Sequence, residues 1–504
     1  MQAQIKIGGS VYGGGNKGDV DGNTSVTVRG GDLNEVYGGA RMADVKGNAF
    51  VNIDGERTSS HLVINRVYGG NDISGRIGDP DKEVNTVKRL PTNLTQAAEN
   101  NVTKDWDAFV RVSSSKTVGT ETKDSVYIGQ LFGGGNGEYD LVQPSDANNN
   151  TYQIKDKKTG AIIASNTTGF TPPSLGKTYL EVVGGSIVYA YGGGNNATVT
   201  GKTVICVDNP SSVVNSMKDE AGAELLTNQR FKDMGINTGF SYPSSDAFQI
   251  GRFFGGNNMA EMAIRPIWNL KSGKIRNLYS GGNKGAMTSP EGLLLNIEKP
   301  STIIVDNLYG GCRMADVCPT VNGVYTPTTN SFEGYNFPAG FAARVVIRGG
   351  DVNNVYGGND ISGKVYGGNA VGISASVRGD VYGGGNGSYP YTDKLAFKGH
   401  DIYGDLYYEP GSNSIEALNA FRPNAEQVSI HVGGTKDKPT VIHGGIYCGG
   451  NSATIMSSME KPTVELKIGS YVYADSVFLG NNGANMVKKD ILEHYAGSVD
   501  TSRS

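Results

Sequence analysis

The sequence contains few cysteines, no long apolar run and no excess of basic residues. Four cysteines in 504 residues, without paired spacings, exclude a disulfide framework as the basis of the fold. No stretch of 18 apolar residues is present, which excludes a membrane-spanning helix in this segment. The formal net charge is −4 and basic residues form no stripe, so we expect no binding to nucleic acid. The architecture must be inferred from what is abundant instead.

Glycine is abundant and regularly placed. It makes up 74 residues, about twice the average usage. Many glycines belong to a short motif, in which typically an aliphatic residue and an aromatic residue are followed by two or three glycines and often Asn. The aromatic positions of thirteen copies are Tyr12, Tyr37, Tyr68, Phe132, Tyr191, Phe254, Tyr279, Tyr309, Tyr356, Tyr366, Tyr382, Tyr447 and Phe478. A unit repeated this often indicates a solenoid rather than a globule.

The spacing of the copies predicts one turn of a parallel β-helix per motif. Tyr12 and Tyr37 are 25 residues apart, and segments 15–23, 24–31 and 32–39 read as three short sides separated by glycine. We attribute the glycines to corners that need positive φ. Alternation along each strand turns every second residue inward. The residues predicted to be buried are Val26, Val28, Val36, Ile347, Val355 and Val381.

The second half of the chain repeats the first. Residues 41–45 recur letter for letter at 313–317, and 71–75 recur at 359–363. We therefore predict an all-β fold, a single-stranded right-handed parallel β-helix (β-solenoid) with loop insertions and an internal duplication. Residues 1–250 form its first half, and 251–504 form a second half continuous with the first, about twelve coils in all. Because five distinct coils keep their order, we infer a duplicated surface feature.

Long polar insertions interrupt the coils. Those after Glu138 and Ser388 follow equivalent coils, so we expect them to leave the same corner. A third insertion contains apolar residues at helical spacing and predicts a helix over 212–234.

The element (Val/Leu)-Tyr-Gly-Gly-Gly-Asn, with Thr-x-Val-x-Val-x-Gly-Gly between copies, resembles the glycine-rich repeats of large, adhesin-like bacterial surface proteins predicted to form β-helices. The resemblance covers roughly 60% of the chain, since repeat coils are the unit of such folds. It implies an extracellular or cell-surface location. We interpret Met1 as an added start residue, with the export signal not present in this segment. The resemblance transfers no catalytic residue.

Two side chains of the motif have alternative interpretations. The Asn after the glycines predicts a stacked ladder at one corner, and a ligand role is the alternative. The aromatic residue follows an inward residue, so alternation turns its ring outward. The rings either form an exposed stripe that binds sugars or a partner, or stack on one another and are covered.

Three carboxylates suggest a metal site. Asp19 and Asp44 align in adjacent coils, and Asp72 follows one coil later. Clustered carboxylates are typical of Ca²⁺ sites or of the acid groups of a glycan-cleaving enzyme. The alternative is structural pairing with Arg41, because ion-pair networks resemble sites. Apart from this possible calcium, we predict no cofactor.

We expect a structural or adhesive β-helix segment of a secreted or cell-surface bacterial protein that binds a glycan or a protein partner. The ligand-binding candidates are tyrosines of the two related insertions: Tyr139, Tyr389, Tyr391, Tyr403, Tyr407 and Tyr408. The alternative is a polysaccharide lyase or glycoside hydrolase on the same scaffold, by analogy of fold alone. No residue is assigned as catalytic. Cys312 and Cys318 either form a disulfide or remain two thiols.

Overall fold

The computed structural model describes residues 5–55, 62–78, 106–114, 116–118, 121–123, 126–142, 152–157, 159–167, 172–209, 249–318, 340–389, 421–457 and 464–483. The chain divides into two compact units, the first up to Met262 and the second from Ala263 for nearly all residues. Every secondary-structure element described is a β-strand. No helix among these residues is long and apolar enough to span a membrane. The predicted helix over 212–234 lies outside the described residues.

The strands of the first unit are β1 (Lys6–Tyr12), β2 (Thr24–Val28), β3 (Gly31–Tyr37), β4 (Ala49–Asp54), β5 (Leu62–Tyr68), β6 (Arg76–Ile77), β7 (Ala108–Ser113), β8 (Lys116–Val118), β9 (Glu121–Lys123), β10 (Val126–Phe132), β11 (Tyr139–Val142), β12 (Tyr152–Asp156), β13 (Ile162–Thr167), β14 (Ser174–Val182), β15 (Ser186–Tyr191), β16 (Thr198–Asp208) and β17 (Ile250–Phe254). Two long parallel sheets result, in the orders β1-β3-β5-β10-β15-β17 and β2-β4-β7-β14-β16. Isolated parallel bridges, such as Val20–Val45 and Val45–Ile77, form a third side.

The strands of the second unit are β18 (Pro266–Ser272), β19 (Lys274–Tyr279), β20 (Leu293–Ile297), β21 (Ile304–Tyr309), β22 (Ala343–Ile347), β23 (Asp351–Tyr356), β24 (Lys364–Val365), β25 (Asn369–Ile373), β26 (Val381–Tyr382), β27 (Asn424–Ala425), β28 (Val428–Val432), β29 (Thr440–Tyr447), β30 (Thr454–Ile455), β31 (Val464–Ile468) and β32 (Val472–Phe478). Its parallel sheets have the orders β19-β21-β23-β26-β29-β32, β20-β22-β25-β28-β31 and β24-β27-β30. The predicted all-β parallel β-helix is confirmed.

The register between coils aligns motif with motif. Tyr12 pairs with Tyr37, Tyr37 with Tyr68, and Tyr68 with Phe132, and the one register shift in these three strand pairs lies before the motif, between Ile7 and Ser10 of β1. Because the register is in step, each motif position forms a column that runs from coil to coil. The described residues of each unit include six such coils.

The predicted placement of one copy of the motif, the one at Tyr366, is wrong. Tyr366 follows β24, which pairs with β27 on a different side of the coil. The aromatic column passes from Tyr356 directly to Tyr382. Gly367 and Gly368 both have positive φ, unlike the glycines after the twelve aligned aromatic residues. Residues 365–369 thus repeat the letters of the motif but not its conformation.

The predicted inward residues are confirmed as core. Val26, Val28, Val36, Ile347, Val355 and Val381 are all buried. In β2 the alternation is regular, with Val26 and Val28 buried and Ser25 and Thr27 exposed.

Truncation of a core residue should destabilise its coil. Val36→Ala should lower the free energy of unfolding by about 2–4 kcal/mol, because it removes buried methyl groups and leaves a cavity. The control Thr27→Ala removes an exposed side chain and should change it by about 0.5 kcal/mol or less. Chemical denaturation of the two variants checks this, and equal losses would contradict the assigned register.

Candidate functional site

A column of stacked aromatic rings runs through each unit. Neighbouring ring centroids lie 4.6–5.0 Å apart, with 5–16° between ring planes. The first column consists of Tyr12, Tyr37, Tyr68, Phe132, Tyr191 and Phe254, and the second of Tyr279, Tyr309, Tyr356, Tyr382, Tyr447 and Phe478.

The rings project outward from the strands and are nevertheless buried. The Tyr37 hydroxyl donates to Glu35 Oε2 at 3.2 Å, so both side chains lie on the face opposite Val36. Tyr37 and Tyr68 are fully buried. The interpretation as a covered, self-stacked column is confirmed for the inner rings, and an exposed aromatic stripe is wrong. Each inner ring stacks on both faces, and each stacked pair contributes about 0.5–1.5 kcal/mol.

The predicted Asn ladder consists of two columns. The first column holds the residue four positions after the aromatic residue. In this column, side chains of neighbouring coils form hydrogen bonds with each other. Asn195 Nδ2 donates to Asn136 Oδ1 at 2.9 Å, and Asn451 Nδ2 to Asn386 Oδ1 at 3.1 Å. Its members are Asn16, Arg41, Asp72, Asn136, Asn195 and Asn258 in the first unit and Asn283, Arg313, Asp360, Asn386, Asn451 and Asn482 in the second. The two units carry the same residue types in the same order.

The second column lies three positions after the ring. In the third and sixth coils of each unit this residue is Asn, and its side-chain oxygen accepts a backbone N–H of the preceding coil. The acceptors are Asn71, Asn257, Asn359 and Asn481, at 2.7–2.8 Å from the backbone N of Ala40, Gly194, Cys312 and Gly450. Asn369 belongs to neither column, since it lies in β25 and donates to the Gly383 carbonyl. The sequence would have revealed the two columns if each Asn had been assigned by the number of positions that separate it from the aromatic residue.

A buried carboxylate accepts hydrogen bonds from tyrosine hydroxyls at the point where the insertion after Glu138, hereafter the first insertion, leaves the coils. Asp72 Oδ1 accepts from the Tyr139 hydroxyl at 2.7 Å and from Asn136 Nδ2 at 2.9 Å. Asp72 Oδ2 accepts from the Tyr12 hydroxyl at 2.8 Å. We call Asp72, Tyr139, Asn136 and Tyr12 the first tyrosine–carboxylate cluster.

The second unit repeats this cluster atom for atom. Asp360 Oδ1 accepts from the Tyr389 hydroxyl at 2.5 Å and from Asn386 Nδ2 at 2.9 Å, and Oδ2 accepts from the Tyr279 hydroxyl at 2.8 Å. Asp360, Tyr389, Asn386 and Tyr279 form the second tyrosine–carboxylate cluster. Sequence reasoning assigned the aspartate to a metal and the insertion tyrosine to a ligand, and it missed that the two are partners.

Both clusters fix the start of an insertion. The Gly137 N–H donates to the Asp72 carbonyl and the Gly387 N–H to the Asp360 carbonyl, each at 2.8 Å. Their φ values, 70° and 67°, require glycine and turn the chain away from the coil. The insertions therefore leave equivalent corners, as predicted. The first continues into the antiparallel sheet β11-β12-β13.

Each titratable group of the first cluster has a raised pKa. Burial raises the pKa of Asp72 above its ordinary 3.8, and the donated hydrogen bonds partly oppose this. Burial and the Asp72 charge raise the pKa of Tyr139 and of Tyr12. The two hydroxyls therefore stay protonated and act as donors. This arrangement anchors the insertion to the coil.

The remaining predicted site residues are differently placed. Tyr139 and Tyr389 are half-buried in the clusters, while Tyr391, Tyr403, Tyr407 and Tyr408 lie outside the described residues. Asp19 Oδ1 accepts the Asp44 N–H at 2.9 Å, and Asp44 Oδ1 accepts the Arg76 N–H at 2.8 Å, so both cap backbone of the next coil.

Across the described ranges no three or more His, Cys, Asp or Glu side chains form a group able to hold a metal ion, and Asp19, Asp44 and Asp72 are not such a group. Arg41 donates to Asn16 rather than to one of these carboxylates in the bonds described.

The four cysteines are buried free thiols. Cys312 and Cys318 thus remain two thiols, and the alternative of a disulfide is wrong. Burial raises the pKa of Cys312 to about 12, so this thiol stays protonated and unreactive.

The geometry on its own therefore identifies two equivalent anchoring points, one per unit, at the base of an insertion. Comparison with known proteins gives no match: no family model, no curated protein and no solved structure is significantly similar to this chain.

Proposed function

We propose that this chain is a binding scaffold, a rigid β-helix segment of a secreted or cell-surface bacterial protein that presents insertions to a glycan or protein partner. The observation that supports this most directly is the duplicated tyrosine–carboxylate cluster. In both units a half-buried insertion tyrosine is bound to a buried aspartate of the coil.

The free-energy cost of burying a carboxylate at each anchor argues that the anchor does more than pack the insertion against the coil. A buried carboxylate is unfavourable unless hydrogen bonds compensate for its lost hydration. Asp72 and Asp360 receive three side-chain donors each. Such an anchor limits the freedom of the insertion before a ligand binds, which reduces the entropy lost on binding. Loops held on a rigid scaffold are where binding residues are most often found.

The tyrosines of the insertions suit a sugar or a protein surface. Tyr offers a large flat area with a polar tip. The location and the relation to adhesin-like surface proteins are part of the same proposal, and they are supported by the motif alone.

The second insertion should be necessary for binding. Replacing 390–420 with a short Gly-Ser turn should abolish binding on a glycan array while leaving thermal unfolding of the coils largely unchanged. The excision must stop before Asn424–Ala425, because these residues are strand β27 and pair with β24 and β30.

The matched control removes 319–339 of the same unit, whose described flanking residues Cys318 and Gly340 belong to neither tyrosine–carboxylate cluster, and should keep the binding. A reducing-end release assay on any glycan bound by the wild type tests the enzymatic alternative. Binding that survives removal of 390–420, or coils that unfold without it, would contradict the proposal. A wild-type chain that binds no glycan on the array would contradict its glycan part.

A further inference from the structure

Two further columns of side chains run beside the aromatic column of the second unit. They hold the residues two and three positions before each aromatic residue. The Tyr382 hydroxyl donates to Asp380 Oδ2 at 3.0 Å, so these side chains lie on the same outer face as the rings. Over the first four coils, the amides and carboxylates of the two columns are Asn277, Asp306, Asn307, Asn353, Asn354 and Asp380. We call these six residues the outer amide row.

The side chains of the row are fixed by bonds to one another. Asn354 Nδ2 donates to Asn307 Oδ1 and Asn307 Nδ2 donates to Asn277 Oδ1, each at 3.0 Å. Asn353 Nδ2 donates to Asp306 Oδ1 at 2.8 Å. Because these side chains are held in place before a ligand arrives, binding costs little of their conformational entropy.

The row also keeps unused hydrogen-bonding capacity at the surface. Each member except Asn277 is partly exposed. An Asn side chain offers two N–H donors and an oxygen with two lone pairs. In the bonds that the structure describes, the side chain of Asn353 uses one N–H, and that of Asn354 uses one N–H and one lone pair. Both side chains therefore have donors and acceptors left for hydroxyl groups of a ligand.

Bare backbone and an aromatic ring follow the row. The next positions of the two columns are Gly379, Gly444 and Gly445, which have no side chains. The partly exposed Tyr447 ring lies against Gly445, where an added Cβ would meet its Cε2 atom at 2.8 Å and its hydroxyl oxygen at 3.1 Å. Polar groups thus lie beside the edge of an aromatic ring, which suits a sugar with both hydroxyl groups and an apolar ring face.

The first unit shows that the coil does not require amides at these positions. Its two columns contain Glu35, Arg66 and Gln130 instead. Arg66 donates to Glu35 Oε1 at 3.1 Å and to Gln130 Oε1 at 3.0 Å, and Gln130 is fully buried. The two units share the residue types of the corner column and of the clusters but differ here. The outer amide row is therefore a feature of the second unit alone.

The spacing of the row matches a sugar chain better than a peptide. Neighbouring rings of the first five coils lie 4.6–5.0 Å apart, which is comparable to the length of one pyranose residue in an extended β-1,4-linked chain. A peptide strand advances about 3.3 Å per residue, so its residues do not coincide with the coils one by one. The two columns carry charges of both signs, on Arg276, Asp306 and Asp380, which gives no strong field to attract a charged polymer.

We propose that the outer amide row binds a neutral, extended polysaccharide that runs from coil to coil, with the hydroxyl groups of successive sugars on successive coils. This inference rests on the proposed binding function and specifies the class of glycan and the surface that it contacts. Asn353 and Asn354 bind hydroxyl groups, and Tyr447 contacts the apolar face of a sugar ring.

Isothermal titration calorimetry of the full chain with cellohexaose, β-1,4-mannohexaose and xylohexaose tests this. The wild type should bind at least one of these hexasaccharides, and the disaccharide of the same sugar should bind about tenfold more weakly or worse, because it spans fewer coils. Asp306→Ala/Asn353→Ala should weaken hexasaccharide binding about tenfold or more, the effect of one or two lost hydrogen bonds. In the bonds described, these two side chains contact only other members of the row, so the coils should stay folded.

The matched control Asn34→Ala/Asn65→Ala removes an amide pair, bonded at 2.9 Å, from the same column of the first unit and should keep the affinity. Melting temperatures equal to that of the wild type exclude unfolding as the cause of a loss. If the double variant melts earlier, Asn353→Leu, which keeps the size of the side chain, should still weaken binding. A wild-type chain that binds none of the hexasaccharides, or a row variant with unchanged affinity, would overturn the proposal.

Excision of 390–420 separates this proposal from the proposed function. Binding that is lost on excision but kept by the row variant places the glycan on the insertion alone, which overturns the role of the row and leaves the binding scaffold intact. Binding that is kept on excision but lost in the row variant supports the row and contradicts the role of the insertion.

Discussion

Gly193→Ala should lower the free energy of unfolding by about 2–6 kcal/mol. An added Cβ at Gly193 would overlap Asn257 Oδ1, the atom that accepts the Gly194 N–H at 2.7 Å. Overpacking costs about 1–3 kcal/mol, and an unsatisfied buried N–H costs about 1–3 kcal/mol more. Urea denaturation measures the loss.

Gly22→Ala is the matched control for this change. An added Cβ at Gly22 meets nothing within 4 Å, and its φ is not positive. The same methyl group should therefore change stability by about 0.5 kcal/mol or less. If both alanines destabilise equally, the close approach of the next coil is not the reason for glycine at position 193.

Asp72→Leu should destabilise the first unit by about 3–5 kcal/mol, because the hydroxyls of Tyr12 and Tyr139 and the amide of Asn136 lose a buried acceptor at once. Thermal and urea unfolding give the size of the effect. The start of the first insertion should also become accessible to proteases, since Tyr139 is released from the coil.

Asp72→Asn is the control, because it keeps the shape and one acceptor oxygen and removes the charge. Its loss should be clearly smaller. The folded pKa of Asp72 is raised, so its stabilising contribution is present below the ordinary value of 3.8 and is lost as pH rises through the folded pKa. Relative to Asp72→Asn, the wild type should therefore lose stability between acidic and neutral pH. A difference that grows in the opposite direction would show that the charged form is favoured.

The repeat and its register could be predicted from the sequence because one position is never varied. The second residue after the aromatic ring is glycine in all twelve aligned coils. The physical reason why this position is always glycine could not be predicted from the sequence. We attributed these glycines to positive φ, yet Gly39, Gly193 and Gly311 do not have it. They are glycine because the next coil lies too close for a side chain.

The preserved order of distinct coils also has a structural reason. Asn71, Asn257, Asn359 and Asn481 each reach back to the coil before them. A coil with Asn at this position therefore depends on its neighbour, and coils cannot be exchanged freely. We inferred a duplicated surface feature from this order. The order is explained in part by coil-to-coil hydrogen bonds, whereas the duplicated tyrosine–carboxylate clusters involve the insertions.

The clusters themselves were beyond sequence reasoning. Asp72 and Tyr139 are 67 residues apart, and no local pattern connects them. The motif copy at 365–369 shows that the same sequence does not guarantee the same structure. Its letters match those of an aligned copy, but its backbone has another conformation and lies on another side of the coil. Periodicity identifies columns, but it does not reveal which side chains cross between them.

The aromatic columns have an optical consequence. Transition dipoles of nearly parallel rings at 4.6–5.0 Å couple with one another, since the interaction falls with the cube of their separation. The second unit stacks five consecutive tyrosines, Tyr279, Tyr309, Tyr356, Tyr382 and Tyr447, before a phenylalanine. In the first unit, Phe132 interrupts the series after three. The near-ultraviolet transitions of tyrosine are thus coupled between coils, and the second unit contains the longer uninterrupted series of coupled tyrosines.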